Sequence, residues 1–412
     1  MLSYLEAQAR VASFARGLSH IGSSVERVAL RSSYGRVLAE AIVADKDQPP
    51  FSRSTRDGFA CRAAEISTHA ALRIAGTIQA GESPGAPLPA GCVWEIMTGA
   101  PVPGGADAVA MLEHVERDGE RIRLAWDRFI RPGENLVVAG AQARRGEALV
   151  SAGELIGPAQ IALGAACGYA EFAVYRQPCV AILTTGDELV PVEEEPGPGQ
   201  IRNSNAPMLE SLVARAGAEA WVLPRATDTA EALGDALRTA LDADLLLISG
   251  GVSAGKFDLV EPALARLGAQ FHFTGVRIQP GKPLVFGEVP RDAKPALPFF
   301  GLPGNPISSA VTFLLFASQV VAALAGCSDL GPRFLAAQMA HATDRKGKAG
   351  LARFLPALCQ FESGVEQIPQ VATVPWHGSG DLPAFARSNC FVAVPEDVNS
   401  FEAGAMVQIL MF

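Results

Sequence analysis

From residue 179 to residue 328 the chain alternates short apolar runs with helical segments, and three of the runs end in glycine-rich loops. The loops read Thr184-Thr185-Gly186-Asp187-Glu188-Leu189, Ser249-Gly250-Gly251-Val252-Ser253-Ala254-Gly255 and Gly301-Leu302-Pro303-Gly304-Asn305-Pro306. Such alternation predicts a doubly wound, mostly parallel sheet, because parallel neighbours need crossovers and the crossover helices cover both faces. In that sheet the carboxyl ends of the strands share one edge. Small residues there leave backbone N–H groups bare, which suits an anionic, phosphate-bearing ligand.

Strands are predicted at 180–183, 220–223, 245–248, 271–276, 284–287 and 298–302. Helices are predicted at 206–215, 229–241 and 259–267, with Thr227 or Asp228 as a cap for the second. The run 306–327 is long and apolar enough to suggest a membrane span. It lacks flanking basic residues and carries Ser308, Ser309, Thr312, Ser318 and Gln319, so a buried core helix is the expectation.

The rest of the chain has other rhythms. Residues 3–16 read as an amphipathic helix, and 25–48 as a short strand followed by a helix or turn. Turn signals such as Gly81-Glu82, Pro103-Gly104-Gly105 and Asp118-Gly119 punctuate a β-rich stretch over 51–140. Pro158 opens an alanine-rich helix that runs to 167. Residues 329–412 suggest a small β-barrel or sandwich. The expected domains are 1–48 with 141–178, then 49–140, 179–328 and 329–412: a multidomain α/β plus β protein.

The net charge of −9, with no basic tract, disfavours nucleic acid as a partner. Seven cysteines without a Cys-x-x-Cys pair read as buried thiols of a reducing cytosol. The N-terminus lacks the basic start and apolar core of a signal peptide. A cytoplasmic protein without a membrane anchor is expected. The six histidines are scattered without ligand spacing.

Residues 250–256 have the spacing of a Walker A loop, but Phe257 stands where a Mg²⁺-binding hydroxyl is required, so an ATPase loop is rejected. Asp187, Glu188, Asp228 and Asp258 all follow predicted strand ends. Together they suit a hard cation held by one or two carboxylates and ligand phosphates. Any one of these acids taken alone reads as a helix cap or a solvated loop, and for a single Asp that is the favoured reading. Asn305-Pro306 marks a helix start whose N–H groups and positive dipole end face the strand edge. In the β-rich stretch, Ser52-Arg53-Ser54-Thr55-Arg56-Asp57-Gly58 and Met97-Thr98-Gly99-Ala100-Pro101 combine small polar groups with turn residues. A pair of surface turns would account for them as well.

Together these segments resemble the molybdopterin molybdenumtransferases, the family of bacterial MoeA and the C-terminal domain of gephyrin. The resemblance spans essentially the whole chain. It rests, in order, on 49–60, 96–109, 131–135, 185–189, 249–258, Pro280-Gly281-Lys282-Pro283 and 301–306. It implies four domains, an elongated homodimer, and insertion of molybdenum from molybdate into adenylylated molybdopterin with Mg²⁺-dependent release of AMP. It implies catalytic roles for Asp57, Thr98, Glu188, Asp228 and Asp258, the last three also holding Mg²⁺. Thr185, Gly186, Ser249, Gly250, Gly251, Ser253, Gly255, Lys282, Gly304, Asn305 and Ser379 are then the cofactor-binding residues. Molybdopterin adenylyltransferase and molybdoenzymes are the implied partners.

This sequence departs from the family's common pattern at Gln142, Gly275 and Gln279, where an acid and two lysines are frequent. Arg277, Arg144 and Arg145 are the nearby charges that could compensate. Two alternatives stand beside the transferase: a non-catalytic molybdopterin-binding or scaffold protein of the same fold, and a molybdopterin adenylyltransferase. The β-rich and C-terminal domains argue against the second.

Overall fold

The computed structural model describes residues 1–18, 24–227, 229–251, 259–292, 294–329, 331–343, 350–361 and 368–412. The α/β unit is a six-stranded sheet in the spatial order Glu219–Val222, Cys179–Thr184, Leu245–Ser249, Lys294–Leu302, Val285–Arg291, Gln270–Thr274. Leu245–Ser249 is buried at every position, as a central strand covered on both faces must be. Val180, Ile182, Leu245 and Leu247 pack towards helices Asn205–Arg215 and Pro306–Leu324. Ala181, Leu183, Leu246 and Ile248 pack towards Ala230–Ala240 and Val260–Arg266 on the other face. The sheet is therefore doubly wound.

Four strands are parallel; the two outermost on one side are antiparallel. The mostly parallel expectation needs this amendment, because only two residues separate Val285–Arg291 from Lys294–Leu302, too few for a crossover. A second correction concerns 271–276. The chain breaks at Gly275: Gln270–Thr274 stays on the edge of this sheet, while Val276–Gln279 leaves it. The cap of helix Ala230–Ala240 is Thr229, whose Oγ1 accepts from the Ala232 N–H at 3.3 Å, rather than Thr227. Asp228 lies outside the described residues.

Pro306–Leu324 is a core helix, with 78% of its most apolar window buried inside the protein. Its middle turn, Phe313–Ala317, widens to π geometry. Ser318 Oγ and Gln319 Nε2 donate back to the carbonyls of Leu314 and Leu315, which satisfies two polar groups in an apolar setting.

The C-terminal unit settles the choice between barrel and sandwich. Ala352–Gln360, Gln370–Thr373, Phe334–Met339, Met406–Met411 and Cys390–Val394 pair in sequence, and the last pairs back to the first, closing a five-stranded barrel. Val276–Gln279 extends it in parallel beside Ala352–Gln360, and Leu2–Ser3 adds a further strand. The first helix, Tyr4–Leu18, turns Ala7, Val11 and Ala15 into the core shared by the α/β unit and the barrel. That spacing of four places one face of the helix against its neighbours. Packing thus associates this helix with that core.

The β-rich unit is a six-stranded sheet over Gly58–Cys61, Leu72–Ile78, Cys92–Ile96, Ala108–Met111, Val115–Asp118 and Arg121–Leu124. Its core holds Phe59, Cys61, Val93 and Ile122. A ribbon of Val25–Ala29 with Glu171–Tyr175 and helix Pro158–Ala166 form a small unit around Leu38, Ile156 and Phe172. All seven cysteines are unbonded. Burial pushes the Cys61 and Cys390 thiols up to about 12.

Candidate active site

The carboxyl edge of the parallel strands opens onto a cleft of about 1090 Å³, closed opposite by the barrel. Thr185, Gly186, Glu188, Ser249, Gly250, Gly251, Lys282, Gly304, Asn305 and Ser379 all line it. The three loops read from the sequence therefore converge, as strand-end loops of a doubly wound sheet do. Ser253, Gly255 and Asp258 lie outside the described residues, as does Asp228.

The loops are held in place by bonds that also use some of the expected donors. Thr185 N–H donates to the Ser249 carbonyl at 3.1 Å, and Gly250 N–H to the Leu302 carbonyl at 3.2 Å. Asn305 occupies the cap position of the long helix, yet its side chain makes no cap bond. Its Nδ2 crosses instead to Ser379 Oγ at 2.8 Å, while Ile307 N–H donates to the Ser379 carbonyl at 3.0 Å. The barrel thereby takes one first-turn donor of the helix and stitches its own loop to the sheet edge. The N–H groups of Gly250 and Ile307 therefore serve the architecture.

Glu188 is exposed at the cleft, and among the described residues its carboxylate is in no ion pair. Arg225 stands behind this turn, with Nη1 donating to the Gly186 carbonyl at 2.9 Å and lying 4.0 Å from Asp187. Lys282 is likewise exposed, lines the cleft, and makes no ion pair with a described acid. A lone ammonium between glycine-rich loops is a site for an anion.

Asp57 and Thr98 do not line this cleft. They meet each other at the edge of the β-rich sheet, where Asp57 Oδ1 accepts from the Thr98 N–H at 2.6 Å and from its Oγ1 at 2.8 Å. The backbone bond first, and then the hydroxyl, hold the Asp57 carboxyl below the usual carboxylate range. Among the described residues no group of three or more His, Cys, Asp or Glu is placed to hold a metal ion.

This architecture has known counterparts. Residues 2–168 match the MoeA N-terminal region (domain I and II), 181–323 the probable molybdopterin binding domain, and 339–412 the MoeA C-terminal region (domain IV). A protein of Nostoc sp. named molybdopterin molybdenumtransferase is 33% identical over 397 residues, 93% of this chain and 88% of its own. One of the same name from Bacillus subtilis is 34% identical over 395 residues, covering 94% and 89%. The chain belongs to the MoeA family of molybdopterin molybdenumtransferases. A solved molybdopterin biosynthesis MoeA protein from Pyrococcus horikoshii superposes over the whole of both chains with a TM-score of 0.81 at 28% identity.

Within this family frame the departures sort themselves by position. Gln279 lines the cleft, so the missing lysine lies where an anion would sit. Arg277 is paired with Glu396 at 3.4 Å and Arg144 with Asp47 at 3.6 Å, so neither stands free to compensate. The sequence reading missed Asn203 and Asn205, which line the same cleft. An Asn-Ser-Asn triplet just before an apolar helix looks like ordinary cap chemistry, and that masked them.

Proposed function

We propose that this chain inserts molybdenum into adenylylated molybdopterin and releases AMP, as a cytoplasmic transferase of molybdenum cofactor synthesis. The observation that carries the reading is the meeting of three strand-end loops, the Lys282 ammonium and the barrel's Ser379 around one cleft. Lys282, the Gly251 backbone and the Asn305–Ser379 pair bind the phosphate-bearing part of the substrate. The barrel wall fixes its orientation and limits water. Molybdate enters as the second substrate.

The residues present fit Mg²⁺, which is commonly held by one or two carboxylates plus substrate phosphates, and Glu188 is the unpaired carboxylate at this cleft. Asp228 and Asp258 complete the expected set. When bound, the ion would neutralise charge on the phosphoanhydride.

Asp57 and Thr98 enter the site from a second copy of the chain in this reading. Support for a homodimer comes from uncovered apolar surface: Tyr34 and Leu155 are exposed and share a recess with Pro158, at the start of an alanine-rich helix. A two-fold dimer covers such a face on both copies. Molybdopterin adenylyltransferase would supply the substrate and molybdoenzymes would receive the product.

The test is AMP release from adenylylated molybdopterin. Release that requires both molybdate and Mg²⁺ is expected. A protein that binds the substrate but releases no AMP under any combination is a scaffold, and the transferase reading fails.

A further inference from the structure

The floor of the cleft contains a side chain that neither the sequence motifs nor the chemistry above assigns. Asn205 opens helix Asn205–Arg215 and is only 9% exposed. Its Nδ2 donates to Ser249 Oγ at 2.8 Å and to the Gly304 carbonyl at 2.6 Å. These acceptors belong to two different strand-end loops. The Gly304 carbonyl can only accept, so the amide orientation is fixed, and Oδ1 remains a buried atom without a donor among the described residues. Two residues earlier, Asn203 Nδ2 donates to Thr184 Oγ1 at 2.9 Å. The entry to one helix therefore ties together the ends of all three central strands.

We propose that Asn205 is a positioning residue: its carboxamide sets the separation of the 249–251 and 303–305 loops, and so the place where the phosphate-bearing part of the substrate sits. The two loops are already in contact at this point, since a Cβ on Gly304 would lie 3.6 Å from the Gly250 Cα. Spacing at that contact is not set by side chains of the loops themselves, because glycines meet there. A donor with two protons, anchored on a buried helix, adds a second constraint to the backbone bond from Gly250 N–H to the Leu302 carbonyl. The inference rests on the reading of the cleft as the site of the adenylylated substrate.

AMP binding by calorimetry and AMP-release kinetics test it together. Wild-type protein that fails to bind AMP overturns the site reading and this inference with it. Given wild-type binding, Asn205→Asp keeps the shape but sets a carboxylate oxygen against the Gly304 carbonyl, which can only accept. Asn205→Leu, similar in shape and uncharged, must show the same loss, which separates displaced loops from repulsion of AMP by the new charge. AMP affinity should fall at least tenfold and KM should rise by a similar factor, with kcat within threefold. Leu209→Ala is the control: it removes a fully buried side chain one turn along the same helix that does not line the cleft. It should lower the melting temperature and leave AMP affinity unchanged. If Asn205→Asp does not fold, Asn205→Ser, which reaches one acceptor at most, carries the same expectation. Folded Asn205 variants with wild-type AMP affinity and KM overturn the proposal. So does a Leu209→Ala protein that loses affinity to the same extent.

Discussion

Gly250 and Gly304 look equivalent in the sequence and line the same cleft, yet an added methyl group should be costly at the first and nearly neutral at the second. Gly250 has φ +97, and a Cβ there would lie 2.6 Å from the Thr185 carbonyl oxygen. That oxygen cannot retreat easily, because Thr185 N–H is bonded to Ser249 and Thr185 also bridges to Ala226. Reaching the onset of ordinary contact at 3.4 Å needs a movement of about 0.8 Å. The left-handed backbone adds about 1–2 kcal/mol for any residue with a Cβ. A shift approaching 1 Å in a positioned loop can lower a rate by about 10²-fold. Gly304 has no positive φ, and its nearest neighbour to a new Cβ is 3.6 Å away. Gly250→Ala should therefore lose about 2 kcal/mol of stability by urea denaturation and roughly 10- to 100-fold in kcat/KM for AMP release. Gly304→Ala should stay within about 0.5 kcal/mol of wild type in stability. Equal stabilities for the two variants, with Gly250→Ala retaining full kcat/KM, would refute the reasoning.

Two further outcomes are expected. Thr98→Val removes the hydroxyl donor to Asp57 but keeps the backbone donor, so the Asp57 carboxyl should move part of the way up to its usual range in an NMR titration. Because the folded pKa is depressed, the associated stability is present above the unfolded carboxylate's pKa, near 4, and is lost as pH falls through the folded value; a Thr98→Val protein with an unmoved Asp57 contradicts the assignment. Mixing Asp57→Ala with Glu188→Ala protein should restore part of the activity after verified subunit exchange, since one site per mixed dimer is then intact; two inactive parents that stay inactive as a mixture place the site within one chain.

The sequence discloses elements whose signal is local. Buried strands such as Leu245–Ser249 are uninterrupted apolar runs, and the glycines after them mark the edge where they end. The 306–324 helix is legible because serine, threonine and glutamine interrupt its apolar run while Pro306 fixes its start. What could not be read is long-range. Nothing within 270–279 says that its two halves join different sheets, since Gly275 looks like any turn residue. Nothing within 203–205 announces that its amides serve loops 44 and 99 residues away. The motif around Asp57 is conspicuous, but its distance from the cleft appears only once the chain is folded.

The strand Val276–Gln279 gives the cleft an unusual mechanical character. It departs from the α/β edge, is laddered to the barrel through Ile278–Ala352 and Gln279–Arg353, and returns through Lys282 to the strand that begins at Val285. Val276 N–H also donates to the Lys282 carbonyl at 2.9 Å. The barrel and the sheet thus share one wall. Any hinge opening between them must shear that ladder and drag the ammonium with it, so jaw separation and anion grip are geared to one another.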